Sequence, residues 1–149
     1  MKFIGFDRED EAEEWARKRL QIDAPPSLFR CLSAVDEDDE FMCVVVMTNF
    51  SARNIDLSIV ISDKRAPRPK ETVSMFNEIF GYVFDKLRVV RVTGLLRGKN
   101  VEAKRINEHF GFKPEGIVRK AFEDGDDLCI YGFLAEEYHN HKWFRGRHG

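Results

Sequence analysis

Asn100-Val101-Glu102-Ala103, followed by Phe110-Gly111-Phe112, Glu115-Gly116, Arg119 and Tyr131-Gly132-Phe133, reads as a helix, a turn and a two-stranded hairpin in fixed succession. Asn100 suits an N-cap, because its side-chain oxygen can accept from the free backbone donors of the next turn. Val101 to Phe110 then supplies a short helix. Gly111 ends it, since glycine tolerates the left-handed conformation usual just past a helix, and Phe112 can fold back on the last turn. Asp124-Gly125-Asp126 is a turn signal between two apolar runs, Ile117 to Phe122 and Leu128 to Leu134, which therefore read as an antiparallel hairpin.

Working outward, Lys2 to Phe6 is a short strand, and Asp7 is a candidate cap for the helix that follows. In that helix Ala12, Trp15, Ala16 and Leu20 share one face, with acids in the first turns and Arg17, Lys18 and Arg19 at the end, matching the helix dipole. Pro25-Pro26 forces an extended linker. Strands follow at Leu28 to Val35, Phe41 to Phe50 and Asn54 to Ser62. In the third, Ile55, Leu57, Ile59 and Ile61 alternate with Asp56, Ser58 and Ser62, giving one apolar and one more polar face. The loop Asp63 to Arg68 leads to a helix from about Pro69 to Leu87, where Pro suits the first turn because its missing donor costs nothing there. Its apolar stripe is Val73, Phe76, Phe80, Val83, Phe84 and Leu87. Val89 to Leu96 is then a strand parallel to Asn54 to Ser62, if the helix between them is a right-handed crossover.

The chain has 149 residues, 43% hydrophobic and 34% charged, which is the size of a single domain able to bury a core. No apolar run is long enough to span a bilayer, and the N-terminus lacks the basic-then-apolar pattern of a signal peptide, so a cytoplasmic protein is expected. Cys31, Cys43 and Cys129 each lie in an apolar strand-like run without metal-ligand spacing and read as buried reduced thiols. A net charge of -2 argues against a dedicated nucleic-acid binder. The charge is uneven. Asp36-Glu37-Asp38-Asp39-Glu40 reads as a solvated hairpin loop, while Lys64, Arg65, Arg68 and Lys70 crowd into one loop.

The succession from Asn100 to Phe133 resembles the C-terminal half of the GCN5-related N-acetyltransferase (GNAT) family. The likeness is closest to its ribosomal-protein N-acetyltransferase-like branch, in which an Asn-x-x-Ala helix ends in Gly-Phe, followed by Glu-Gly, an Arg and a strand carrying Tyr-Gly-Met; Phe133 stands where that Met is usual. The order β-α-β-β-β-α-β-α-β-β is that of the family, with one helix where the family often has two after the first strand. The resemblance implies the α/β (α+β) class and a single GNAT fold over residues 1–149, with a central mixed sheet splayed at two parallel strands and flanked by helices. It also implies direct acyl transfer from acetyl-coenzyme A (acetyl-CoA) to an amine. By position, Ile59, Val60, Ile61 and Ser62 would pair with the pantetheine arm, and Lys64 to Lys70 would form the pyrophosphate loop, since helix N-termini suit anions. Arg91 to Leu95 would be the second splayed strand, and Asn100 would sit near the thioester.

The chain departs from the family pattern at two places. Where the family has Arg/Gln-x-x-Gly-x-Gly/Ala, this chain has Lys64-Arg65-Ala66-Pro67-Arg68-Pro69-Lys70: two prolines delete donors, and Glu71 puts a carboxylate near an anion site. The four cations Lys64, Arg65, Arg68 and Lys70 would hold the phosphates by charge-assisted bonds instead. Many members also place a Tyr seven residues after the Asn as the acid for the departing thiolate; Asn107 stands there and cannot serve. A thiolate with a pKa of about 8.5 can leave as the anion or take a proton from water. No catalytic residue is therefore assigned. Asp56 and Glu115 are conceivable bases that read better as surface or hairpin carboxylates, and His109 reads as a partner of the helix dipole.

The tail holds His139, His141 and His148, which have no strong metal-site spacing, and no metal is expected. Trp143 and Phe144 are candidates to fold back on the sheet, and Lys142, Arg145 and Arg147 read as a solvated basic end. The expectation is an N-acyltransferase, acetyl-CoA its cosubstrate, acting as monomer or homodimer on a protein N-terminus, a lysine or a small amine. The alternative is a catalytically degenerate GNAT-like binding or phage-structural module. An RNA-associated module rests only on the loop and tail charges.

Overall fold

The computed structural model describes residues 1–20 and 30–144. The Pro25-Pro26 linker, the first residues of the run from Leu28, and Arg145, Arg147 and His148 lie outside the described residues. Strand β1 (Lys2–Gly5) is followed by helix α1 (Glu9–Leu20), then by β2 (Arg30–Val35), β3 (Phe41–Thr48) and β4 (Asn54–Ile61). Helix α2 (Pro69–Phe80) continues as a π-helical segment, Gly81–Lys86; β5 (Arg91–Arg97), α3 (Val101–His109), β6 (Lys113–Val118), β7 (Leu128–Leu134) and a short α4 (Ala135–His139) complete the chain. The strands form one seven-stranded sheet in the order β1-β2-β3-β4-β5-β7-β6. Every neighbouring pair is antiparallel except β4 and β5.

The alternation in β4 sets the two faces. Ile55 and Leu57 join the larger core under α2 and α3, whereas Val60 joins a smaller core under α1 with Ala12, Ala16, Val44 and Val46. Strand β3, with neighbours on both faces, is buried from Phe41 to Met47, which is why its sequence is a continuous apolar run. Phe76, Phe80, Val83 and Phe84 are buried against the sheet, while Val73 and Leu87 pack at its margin. The expected helix to Leu87 is thus one rod up to Lys86, with its last turn widened so that Leu87 N–H bonds Tyr82 O at 2.9 Å.

Several local expectations are corrected. Asp7 is not the cap of α1: Arg8, at φ +58°, holds that position and its carbonyl accepts from Ala12 N–H at 2.9 Å. The strand expected at Ile117 to Phe122 is instead Lys113–Val118, beginning two residues after the left-handed Gly111 (φ +96°). Residues 119–127 form the connection. There Phe122 accepts from Gly125 N–H and donates to the Asp126 carbonyl, and its ring lies under Arg97, so an apolar residue serves the loop rather than a strand. In the tail, α4 was not anticipated. Phe144 is fully buried, and Trp143 stays 38% exposed, 4.8 Å from the His109 ring.

His141 is likewise not incidental. Trp143 N–H donates to its Nδ1 at 3.1 Å, which leaves Nε2 to carry the proton and donate to Phe110 O at 2.9 Å, at the end of α3. Burial holds its pKa below the usual 6.5, consistent with the neutral ring this pairing needs. The three cysteines are free and buried, and burial pushes Cys31 and Cys43 up to about 12, which leaves them as unreactive thiols.

Candidate functional site

The parallel ladder between β4 and β5 is short. It pairs Asn54 with Arg91, Ile55 with Val92, Asp56 with Thr93 and Leu57 with Gly94, and there it stops. Beyond Leu57, β4 stays paired to β3, and beyond Gly94, β5 stays paired to β7, so the two strands part into a V. The divergence begins at Leu57 and Gly94, before the stretch Ile59 to Ser62. Backbone groups of β4 that face β5 past this point have no ladder partner on β5.

A cleft of about 650 Å³ occupies the V. Ser58 to Ser62 of β4 and Leu95 to Arg97 of β5 form its two sheet walls, with Thr72, Met75 and Phe76 of α2 on one side and Asn100, Ala103, Ile106 and Asn107 of α3 on the other. The end of α1 contributes Lys18, Arg19 and Leu20, and the rim carries Asp63, Ala66 and Pro67. The walls are mostly apolar and the mouth is charged. Among the described residues no group of three or more acidic, His or Cys side chains could hold a metal, and no helix is long and apolar enough to cross a membrane.

Ile59, Val60, Ile61, Ser62 and Asn100 all line this cleft. Asn100 also caps α3, its Oδ1 accepting from Ala103 N–H at 3.0 Å. Asn100→Ala should lose about 1 kcal/mol of stability, whereas Asn100→Asp should keep the cap; if the cleft takes acyl-CoA, as the resemblance implies, both should also weaken its binding. Unfolding curves alongside cofactor titration separate the two roles, and equal affinity in both variants and the parent would reduce Asn100 to a cap.

The basic loop lies differently. Lys64, Arg65, Arg68 and Lys70 are not among the lining residues. Lys64 Nζ is 3.8 Å from Glu40, and the Arg65 guanidinium bridges Glu37 at 3.2 Å and Glu71 at 3.3 Å. Arg68 and Lys70 are exposed at the start of α2 and form no ion pair with a described residue. The α2 N-terminus is already held by a carboxylate: Glu71 accepts from Arg68 N–H at 3.0 Å, and the Met1 amino group is 2.9 Å away. This side chain serves the cap that the missing glycines and the two prolines cannot.

The Arg68 backbone donor first, then the Met1 amino group and Arg65, push the Glu71 pKa from 4.5 down to about 2. A carboxylate depressed in the folded state stabilises the fold above its ordinary pKa, and that contribution disappears as pH falls from about 4.5 toward 2. Glu71→Gln should therefore flatten the fall of stability across that window. Urea unfolding of both proteins from pH 5 to pH 2 reads it, and parallel profiles would contradict the assignment.

Asp56 and Glu115 are outside the cleft, on the sheet face that α1 leaves uncovered. Asp56 accepts from Asn54 Nδ2 at 2.9 Å and Asn49 Nδ2 at 3.3 Å, and Glu115 pairs with Arg91 at 2.6 Å. The Glu115 carboxylate lies across Gly132, where a Cβ would stand, and as the far end of a flexible side chain it could swing aside for one. Asn107, dismissed as an acid from sequence, is buried on the cleft floor at 5% exposure. The signal for it was its place seven residues after Asn100, on the same helix face. Lys18 and Arg19 had no sequence signal beyond the helix dipole.

No family model matches the sequence, and no curated protein matches it. Among solved structures the chain is similar to the spermidine/spermine N-acetyltransferase SpeG of Vibrio cholerae in complex with manganese ions, with a TM-score of 0.65 and 21% identity over 88% of this chain and 77% of that one. It is similar also to a dodecameric structure of spermidine N-acetyltransferase from the same organism in an intermediate state, with a TM-score of 0.66 and 20% identity over 88% and 77% of the two chains. At such identities the common property is the fold. With its single parallel pair inside a mixed, helix-flanked sheet, this chain has the fold of the GNAT acetyltransferases.

Proposed function

We propose that residues 1–149 form one cytoplasmic acyltransferase domain that moves an acetyl group from acetyl-CoA to a primary amine by direct attack. The observation that carries this reading is the parting of β4 and β5 at Leu57 and Gly94 into a cleft of about 650 Å³, large enough for an acyl-pantetheine arm. Ile59 to Ser62 offer the arm an unpaired strand edge, and Asn100 offers a side-chain amide beside it. Lys64, Arg65, Arg68 and Lys70 surround the α2 N-terminus, where the phosphates would lie; Arg68 and Lys70 are the cations there not engaged in ion pairs with described residues.

Transfer needs the amine nitrogen to attack the thioester carbon, the C–S bond to break and the amine proton to leave to solvent. The Asn107 amide has no acidic proton to give, so the thiolate leaves as the anion or takes its proton from water. The spermidine acetyltransferases similar in fold act on polyamines by their names, which adds a small polyamine to a protein N-terminus and a lysine as acceptors to try. A thiol-release assay with acetyl-CoA over those three amine classes tests the reading, with release on at least one expected.

One observation favours a second reading. Glu71 occupies the helix N-terminus that would face the pyrophosphate, as it would in a module that had lost catalysis and binds a partner. No binding of acetyl-CoA at millimolar concentration would favour that reading, whereas binding without thiol release would point to regulation or to an acceptor outside those three classes.

A further inference from the structure

Asn107 is buried in the cleft floor, and the direction of its amide is fixed by its own helix. Nδ2 donates to Ala103 O at 2.8 Å, and a flipped amide would set two oxygens against each other. Its Oδ1 is therefore turned the other way, toward β5, 3.2 Å from where a Cβ on Gly94 would stand. Gly94 pairs with Leu57 in the last rung of the parallel ladder, so this oxygen lies over the apex of the V. No described residue donates to it. The oxygen opens to the cleft, where a bound molecule can supply the donor it lacks.

Asn100 stands seven residues earlier on α3, about 10.5 Å along the axis and on the same face. Its Oδ1 is used by Ala103 N–H, which leaves its Nδ2 as a donor at the mouth. Ala103 and Ile106 form an apolar stretch between the two amides. The α3 wall thus presents a donor at the mouth, an apolar span and an acceptor at the apex. A complementary ligand carries a carbonyl first, methylenes next and an N–H last, before its reacting end.

We infer that Asn107 Oδ1 accepts the hydrogen bond of the last amide N–H of an acyl-pantetheine arm and so sets how deep the thioester enters the V. The inference rests on the acyltransferase reading above and assigns Asn107 a positioning role. Gly94 belongs to the same device, because a Cβ there would stand 3.2 Å from that oxygen and crowd it.

The test is calorimetric binding of coenzyme A and of its analogue in which an ester oxygen replaces the last amide N–H, to the parent, Asn107→Leu and Gly94→Ala. The parent should bind coenzyme A at least tenfold tighter than the ester. Both variants should lose that preference to within twofold, since leucine removes the acceptor and the added Cβ of alanine crowds it. Melting curves confirm folding, and if the leucine variant does not fold, Gly94→Ala decides alone, since alanine suits a strand interior better than glycine. A parent that binds both ligands equally, or a folded variant that keeps the tenfold preference, overturns the inference and leaves the acyltransferase reading standing. A parent that binds neither ligand overturns both.

Discussion

Phe80→Ala is expected to lower stability by about 3 to 5 kcal/mol, the range for removing a fully buried aromatic ring from a core that relaxes only in part. Phe80 is 0% exposed, and six aromatic rings lie within 6.0 Å of its own: Phe76, Phe84, Phe112, Phe133, Tyr138 and Phe144. Those rings come from α2 and its π-helical continuation, the turn after α3, β7, α4 and the tail. One truncation therefore loosens the contact between the cleft's helical wall and its sheet floor. Urea unfolding of parent and variant reads the effect. An unchanged midpoint would show that Phe80 is not the centre of the core.

Ala103→Trp should weaken coenzyme A binding at least a hundredfold, about 2.7 kcal/mol, while leaving the fold in place. Ala103 lies on the cleft face of α3 between Asn100 and Asn107, partly buried at the margin of the main core. An indole there fills the slot, at a cost of a few tenths of a kcal/mol in helix propensity. A titration against the folded variant checks it. Undiminished affinity would mean that the ligand does not run along α3.

The stretch from Asn100 to Phe133 carried the fold because its signals are local. The cap at Asn100 and the left-handed Gly111 are each dictated by a few neighbouring residues, as is the period of two in β4 outside that stretch, and each stands where the sequence put it. Phe122 misled for the opposite reason. An apolar residue beside a turn signal reads as a strand, yet its place was decided by Arg97, which is distant in sequence. The cap of α1 and the structural role of His141 were equally invisible, since both depend on tertiary partners or on a strained φ at Arg8.

The cleft was legible in outline through the resemblance, with Ile59 to Ser62 and Asn100 on its walls. Its chemistry was less so. The basic loop reads as four equivalent cations, but Glu37, Glu40 and Glu71 engage Lys64 and Arg65, and those partners lie up to 28 residues away in sequence. Asn107 reads as a lost tyrosine, and only the orientation of its amide and the bareness of Gly94 give it a face toward the apex.

The central claim is that the V between β4 and β5 holds acyl-CoA, and calorimetric titration with acetyl-CoA at two salt concentrations tests it most directly. The account predicts a dissociation constant in the micromolar range, about -8 kcal/mol, weakening as salt rises because side-chain charges at the α2 N-terminus replace the missing glycine-loop amides. No binding at millimolar acetyl-CoA would contradict it.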